Sequence, residues 1–160
     1  MAVDVFLKLG DINGESKDAT YKDWIDVLAW SWGGAQTGTM QMGGGGGTGK
    51  VNIQDMSVTK YVDSSSTNLY LKLCTGKHYP EAKLIVRKAG DQPVEYVKIT
   101  MTDVIISSLS TGGSTGDERT TENITLNFAK FKYEYTPQEE TGAAGAVMDV
   151  TFNIKTNAPE

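Results

Sequence analysis

The chain alternates apolar and polar residues with a period of two, and that rhythm limits it to β-architecture almost throughout. Val3, Val5, Leu7 and Leu9 alternate with Asp4, Phe6 and Lys8, the signature of a strand with one buried face. The same rhythm returns in Ala82, Leu84 and Val86, then in Ile124, Leu126 and Phe128, and last in Met148, Val150, Phe152 and Ile154. The segment from Val94 to Leu109 reads as one long or bent strand. The phase moves from Ile124, Leu126 and Phe128 to Phe131, Tyr133 and Tyr135, which predicts a bulge or a strand bridging two sheets. From Trp24 to Trp32 both faces are apolar, with Ile25, Val27 and Ala29 on one and Leu28, Trp30 and Trp32 on the other. That pattern predicts a strand covered on two sides.

Two stretches break the rhythm. Gly33 to Gly49 holds nine of the eighteen glycines and no charged residue, so it reads as a long loop, because glycine in an element interior costs about 0.5–1 kcal/mol. Around 64–75, Ser64, Ser65 and Ser66 offer N-caps, Leu69 and Leu73 stand four apart, and Gly76 with Pro80 forms a stop. The spacing predicts one short flanking α-helix. Several strands, one helix and no βαβ rhythm predict a mostly β domain over 1–160, an antiparallel barrel or two-sheet sandwich. At 160 residues such a domain buries roughly 70% of its unfolded surface, so it needs no disulfide or metal.

Composition excludes several function classes. The net charge is -5 and no basic run occurs, which argues against nucleic acid. No stretch approaches the roughly 20 apolar residues of a membrane-spanning helix. The N-terminus reads as lacking a signal peptide, because Asp4 and Lys8 interrupt its short apolar run. Gly44 to Lys50 imitates a phosphate loop, but Val51 stands where a hydroxyl must ligate magnesium, so no nucleotide cofactor is expected. The lone Cys74 and lone His78 cannot make a zinc set, and Gly76 separates them. Asp117, Glu118 and Glu122 near Arg119 lack calcium-loop spacing and read as a solvated turn. The catalytic inventory is empty, so no enzyme is expected; a turnover dependent on His78 would contradict this. Met40 and Met42 lie within the glycine loop, and methionine packs adaptably, so the loop reads as a docking element.

The stretches Ala2 to Asp11, Gly14-Glu15-Ser16, Ile25 to Gly33, Gly43 to Gly47, Lys77 to Pro80, Leu84 to Gly90, Ser110 to Gly113 and Thr121 to Phe128 together resemble the Hcp family, the haemolysin-coregulated proteins of type VI secretion. The likeness runs along nearly the whole chain and is loose only after Pro137. It implies a small barrel with a flanking helix that forms homohexameric rings, stacked into a tube like that of a phage tail. A contractile sheath would drive the tube from the cytoplasm of a Gram-negative cell, a spike protein would cap it, and soluble effector proteins would ride in the lumen. The resemblance assigns ring stacking to the loop bearing Met40, Met42, Gly43, Gly44, Gly45, Gly46 and Gly47. Export by such a machine would need no cleaved leader, and the toxic C-terminal domain some relatives carry is not expected here. Trp30, Ser31 and Trp32 are candidates for the ring interface or lumen, with Ser31 the small position a cargo could approach. The alternative is a monomeric, lectin-like β-sandwich using the tryptophans as a sugar platform.

Overall fold

In the computed structural model, residues 2–38, 49–90 and 93–160 are described. The chain runs β1 (Val3–Leu9), β2 (Ile25–Asp26), β3 (Ala29–Ser31), β4 (Gly34–Ala35), β5 (Asn52–Ile53), β6 (Met56–Tyr61), α1 (Ser66–Thr75), β7 (His78–Lys88), β8 (Val94–Gly112), β9 (Thr121–Tyr135), β10 (Met148–Asn153) and β11 (Ala158–Pro159). All pairings are antiparallel. The stacking-loop residues Met40, Met42 and Gly43 to Gly47 lie outside the described residues.

The ladder closes on itself. β1 pairs with β7, β7 with β8, β8 with β9, β9 with β6 and β6 with β3, while β2 pairs back onto β1. The single strand expected over Trp24 to Trp32 is split to make that closure. The Val27 N–H donates to Val5 O at 3.0 Å, and the next residue, Leu28, donates to Thr59 O at 2.8 Å. One short segment thus changes partner between neighbouring residues, and its inward face changes with it. Ile25 is fully buried before the switch, whereas Trp30 and Trp32 turn toward the core after it.

The predicted phase change is present, and two strands share it. Met101 and Val104 are both buried on β8, as are Phe128 and Phe131 on β9, so each strand skips one position at the same register. Asp103 at this point has φ +56°. The β8–β9 ribbon therefore turns over as a unit. The N-terminal part of β9 pairs with β6 and its C-terminal part with β10 along the same edge, so instead of bridging two sheets the strand changes partner within one continuous sheet. A separate register shift falls in β8 between Ile106 and Ser108.

The helix forms where the serine cluster and glycine predict it, but its start works differently. Ser65 makes no side-chain cap; instead Ser66 Oγ accepts from the Asp63 N–H at 3.0 Å, and the Asp63 carboxylate accepts from the Ser65 N–H at 2.8 Å. Gly76 closes the helix at φ +65°, with Lys77 N–H donating to Lys72 O at 3.2 Å. Leu69 and Leu73 seat α1 on the barrel core.

Left-handed backbone costs a β-branched residue about 1–2 kcal/mol. Asp103→Val is therefore expected to lower unfolding stability by about that amount, while Asp103→Gly stays within about 0.5 kcal/mol of the parent. Urea unfolding midpoints of the two variants provide the check.

Candidate assembly surfaces

Met56, Val58 and Lys60 alternate inward on β6, and Glu122, Ile124 and Leu126 alternate inward on β9. Lys60 and Glu122 are register partners, so a cation and an anion meet inside the barrel wall. Both side chains are wholly buried, with Nζ to Oε1 at 2.7 Å. Lys60 also meets Asp63 at 3.1 Å and Ser66 Oγ at 3.3 Å, and Ser66 hydrogen-bonds Glu122. The network ties the first turn of α1 to two strands. Glu122 is thus not part of a solvated turn. Its phase with Ile124 and Leu126 was the signal, matched by that of Lys60 with Met56 and Val58.

A second polar cluster fixes the segment between β1 and β2. Arg87 donates to Asp18 at 2.6 and 2.9 Å and to Asp4 at 3.0 Å, with its guanidinium over the rings of Phe6 and Tyr21. The Arg87 hydrogen bonds hold the Asp18 carboxyl down at about 2. Burial and then Glu95, to which its hydroxyl donates, push the Tyr21 phenol up. Gly14 is required here: a Cβ would lie 2.6 Å from Trp24 O and 2.7 Å from Ile25 Cα. Nearby, burial followed by the charge of Asp63 raises the Asp26 carboxyl.

The outer edge of the sheet is open at β10. β11 covers only Phe152 and Asn153, with one further bond from the Glu160 N–H to Thr151 O, so Met148 to Val150 have no strand partner on that side among the described residues. Met148 is 65% exposed, Val147 54% and Val150 52%, and Tyr135 stands opposite Met148. A groove of roughly 430 Å³ adjoins Val150, lined also by Val51, Ile53, Phe131 and Phe152. Sequence reading placed a strand here without showing that its first half faces solvent.

Ser31 is exposed between two half-buried neighbours. Trp32 packs edge-on against Phe131 at 4.9 Å and donates from Nε1 to Gln54 O at 2.9 Å, and Trp30 packs against the core. Trp24 meets Tyr21 edge-on at 5.0 Å. The three tryptophans serve packing, so they form no exposed platform of the kind a lectin needs. Exposed His78 opens β7 beyond the end of α1, on whose last turn Cys74 is also exposed. Among the described residues no group of three or more His, Cys, Asp or Glu could hold a metal ion, and no helix is long and apolar enough to cross a membrane.

Removing one member of a buried ion pair strands the other charge and costs roughly 3–5 kcal/mol. Lys60→Met alone is expected to lose about that much, and adding Glu122→Leu to regain most of it, read from urea unfolding midpoints. The Asp18 carboxyl, lowered from 3.8 to about 2, contributes stability that is complete above its unfolded value and is lost as pH falls through the folded one. Asp18→Asn should be less stable at neutral pH and should flatten the stability profile between pH 3.8 and about 2, in thermal melts across that window.

Residues 6–135 match the family model described as the type VI secretion system effector, Hcp. The chain is 57% identical over 159 residues to Protein hcp1 of Pseudomonas aeruginosa, covering 98% of each. Its fold superposes with a TM-score of 0.94 on a solved structure of a type six secretion system protein, at 31% identity, over 99% of this chain and 100% of that one. Hcp1 from Salmonella typhimurium superposes at 0.84 with 37% identity over the full length of both. The fold is thus shared along the whole chain, and the chain belongs to the Hcp family of type VI secretion.

Proposed function

We propose that this chain is the subunit of the type VI secretion inner tube, joining five copies of itself into a hexameric ring. Rings would stack into a tube that a contractile sheath expels from the cytoplasm of a Gram-negative cell, behind a spike protein, with soluble effectors held in the lumen. The observation that carries this reading is the open half of β10. A closed barrel has no reason to leave a bare strand edge flanked by Met148 and Val150 unless another chain covers it. Ring closure needs a head-to-tail contact between two different patches, and an unpaired edge is one such patch. Met40, Met42 and the glycines Gly43 to Gly47 keep their assignment as the ring-to-ring contact. Trp30 and Trp32, by packing inward, would hold Ser31 outward where cargo passes.

Val150 is 52% exposed, so Val150→Glu should fold normally while placing a charge on the joining edge. Light scattering and negative-stain microscopy are expected to show annuli for the parent and monomers for the variant, with superimposable circular dichroism. Annuli undiminished by the variant would move the interface elsewhere. A parent that stays monomeric at every concentration would end the tube reading. Within intact rings, replacing Ser31 with a bulky residue is expected to weaken effector retention without disturbing assembly.

A further inference from the structure

The segment joining β1 to β2 is a strap with no helix or named strand of its own. It leaves β1 through a tight turn, with Gly10 at φ +54° and the Ile12 N–H donating to Leu9 O at 3.0 Å. Three backbone bonds then fold it on itself. Gly14 N–H donates to Asp23 O at 2.8 Å, Asp23 N–H to Ser16 O at 2.9 Å and Ser16 N–H to Trp24 O at 3.0 Å. Two side-chain pins fasten it to the barrel: Asp18 is held by Arg87, and the Tyr21 hydroxyl donates to Glu95 while its ring stacks on Phe6 at 4.7 Å. A stretch held by a handful of bonds, outside the strand ladder, opens locally at lower cost than the barrel unfolds.

At the base of the strap stands Asn13-Gly14, the one Asn-Gly step in the sequence. An asparagine side chain can be attacked by the backbone nitrogen that follows it, and glycine in that place leaves no Cβ to obstruct the approach and no bar to the backbone angles it needs. The two reacting groups are kept in opposite states here. Asn13 is exposed, and its Oδ1 accepts from Lys8 Nζ at 3.2 Å, so a cation draws electron density away from Cγ. Gly14 is buried, and its N–H is committed to Asp23 O. The electrophile is open to solvent while the nucleophile is withheld by the strap's own folding.

We propose that Asn13-Gly14 is a self-modification site, silent while the strap is closed and converted to aspartate or isoaspartate when the strap opens. The freed Gly14 nitrogen bonds to Asn13 Cγ, closing a five-membered succinimide. The Cγ–Nδ2 bond breaks, and ammonia leaves carrying the proton that was on Gly14 N. One water then opens the ring at either carbonyl, giving aspartate or an isoaspartate whose main chain runs through Cγ. One water is consumed and one ammonia released, with no oxidant or metal. Isoaspartate adds a main-chain carbon just before Gly14, where even a Cβ would lie 2.6 Å from Trp24 O and 2.7 Å from Ile25 Cα. A strap so lengthened does not reseat, so a transient opening becomes a permanent one.

The test follows ammonia loss and isoaspartate at this step by mass spectrometry of the tryptic peptide Leu9–Lys17, after incubating the full chain in mildly alkaline buffer. Asp18→Asn and Tyr21→Phe each weaken one pin, and Lys60→Met destabilises the barrel without touching the strap. The folded parent is expected to convert far more slowly than the same chain in urea. Each pin variant should convert about tenfold faster than the parent, the effect of one hydrogen bond lost from the closed strap. Lys60→Met should stay at the parent rate although its urea midpoint falls further. Isoaspartyl chains should be cut by trypsin at Lys17 and Lys22 sooner than unmodified ones. A folded parent that converts as fast as the urea-unfolded chain, pin variants at the parent rate, or rates that track the urea midpoints instead of the pins would overturn the proposal. None of these outcomes bears on the tube reading, which needs no change at Asn13.

Discussion

Antiparallel pairing of β8 with β9 is the interaction on which the remaining structure depends. The two strands stay in partnership from Val97 opposite Tyr135 to Gly112 opposite Thr121. β7 attaches along one side, β6 and β10 along the other, and α1 rests on β8. The ribbon is too long to keep one face buried in a small barrel, so it turns over at Asp103. Beyond that point opposite residues face the core, from Val104 and Phe128 on one side to Met101 and Phe131 on the other. A strand's side chains alternate faces, so skipping one position is the least rearrangement that exchanges them.

Closure of the barrel then rests on a few residues. The Ile25–Ser31 segment must satisfy β1 with its first half and β6 with its second, and the change at Val27 and Leu28 does this without a loop. Lys60 and Glu122 lie on the ladder beside this junction. Exchanging such a buried pair for apolar residues of similar volume is often neutral or stabilising, so its presence is weak evidence for added stability. Its geometry does constrain register. A one-residue slip between β6 and β9 would separate the charges and leave both unpaired inside the barrel. The same carboxylate meets Ser66, so the position of α1 is coupled to that register.

Much of the site was legible where it followed the period of two. The inward phase of Lys60 and Glu122 could be read beside Met56, Val58, Ile124 and Leu126, although their meeting could not. The exposure of Ser31 against inward Trp30 and Trp32 required knowing which face of a doubly apolar segment met the core. Met148 and Val150 alternate as regularly as Leu84 and Val86, yet the former are exposed and the latter buried. Alternation reports that one face is apolar and is silent on whether this chain or another covers it.

The amino-acid order alone determined the β-rich class, the place of the single helix, the glycine-rich interruption and the phase reversal in β9, because each follows from contacts between near neighbours. Tertiary structure alone decided that the ladder closes, that the reversal is shared by β8, that Lys60 meets Glu122 and that Ser31, Ser57, Thr125 and Ser108 fall in one row. Those facts depend on which strands lie side by side. Partners such as Ser57 and Thr125, far apart in the chain, become neighbours only through the register of antiparallel hydrogen bonds.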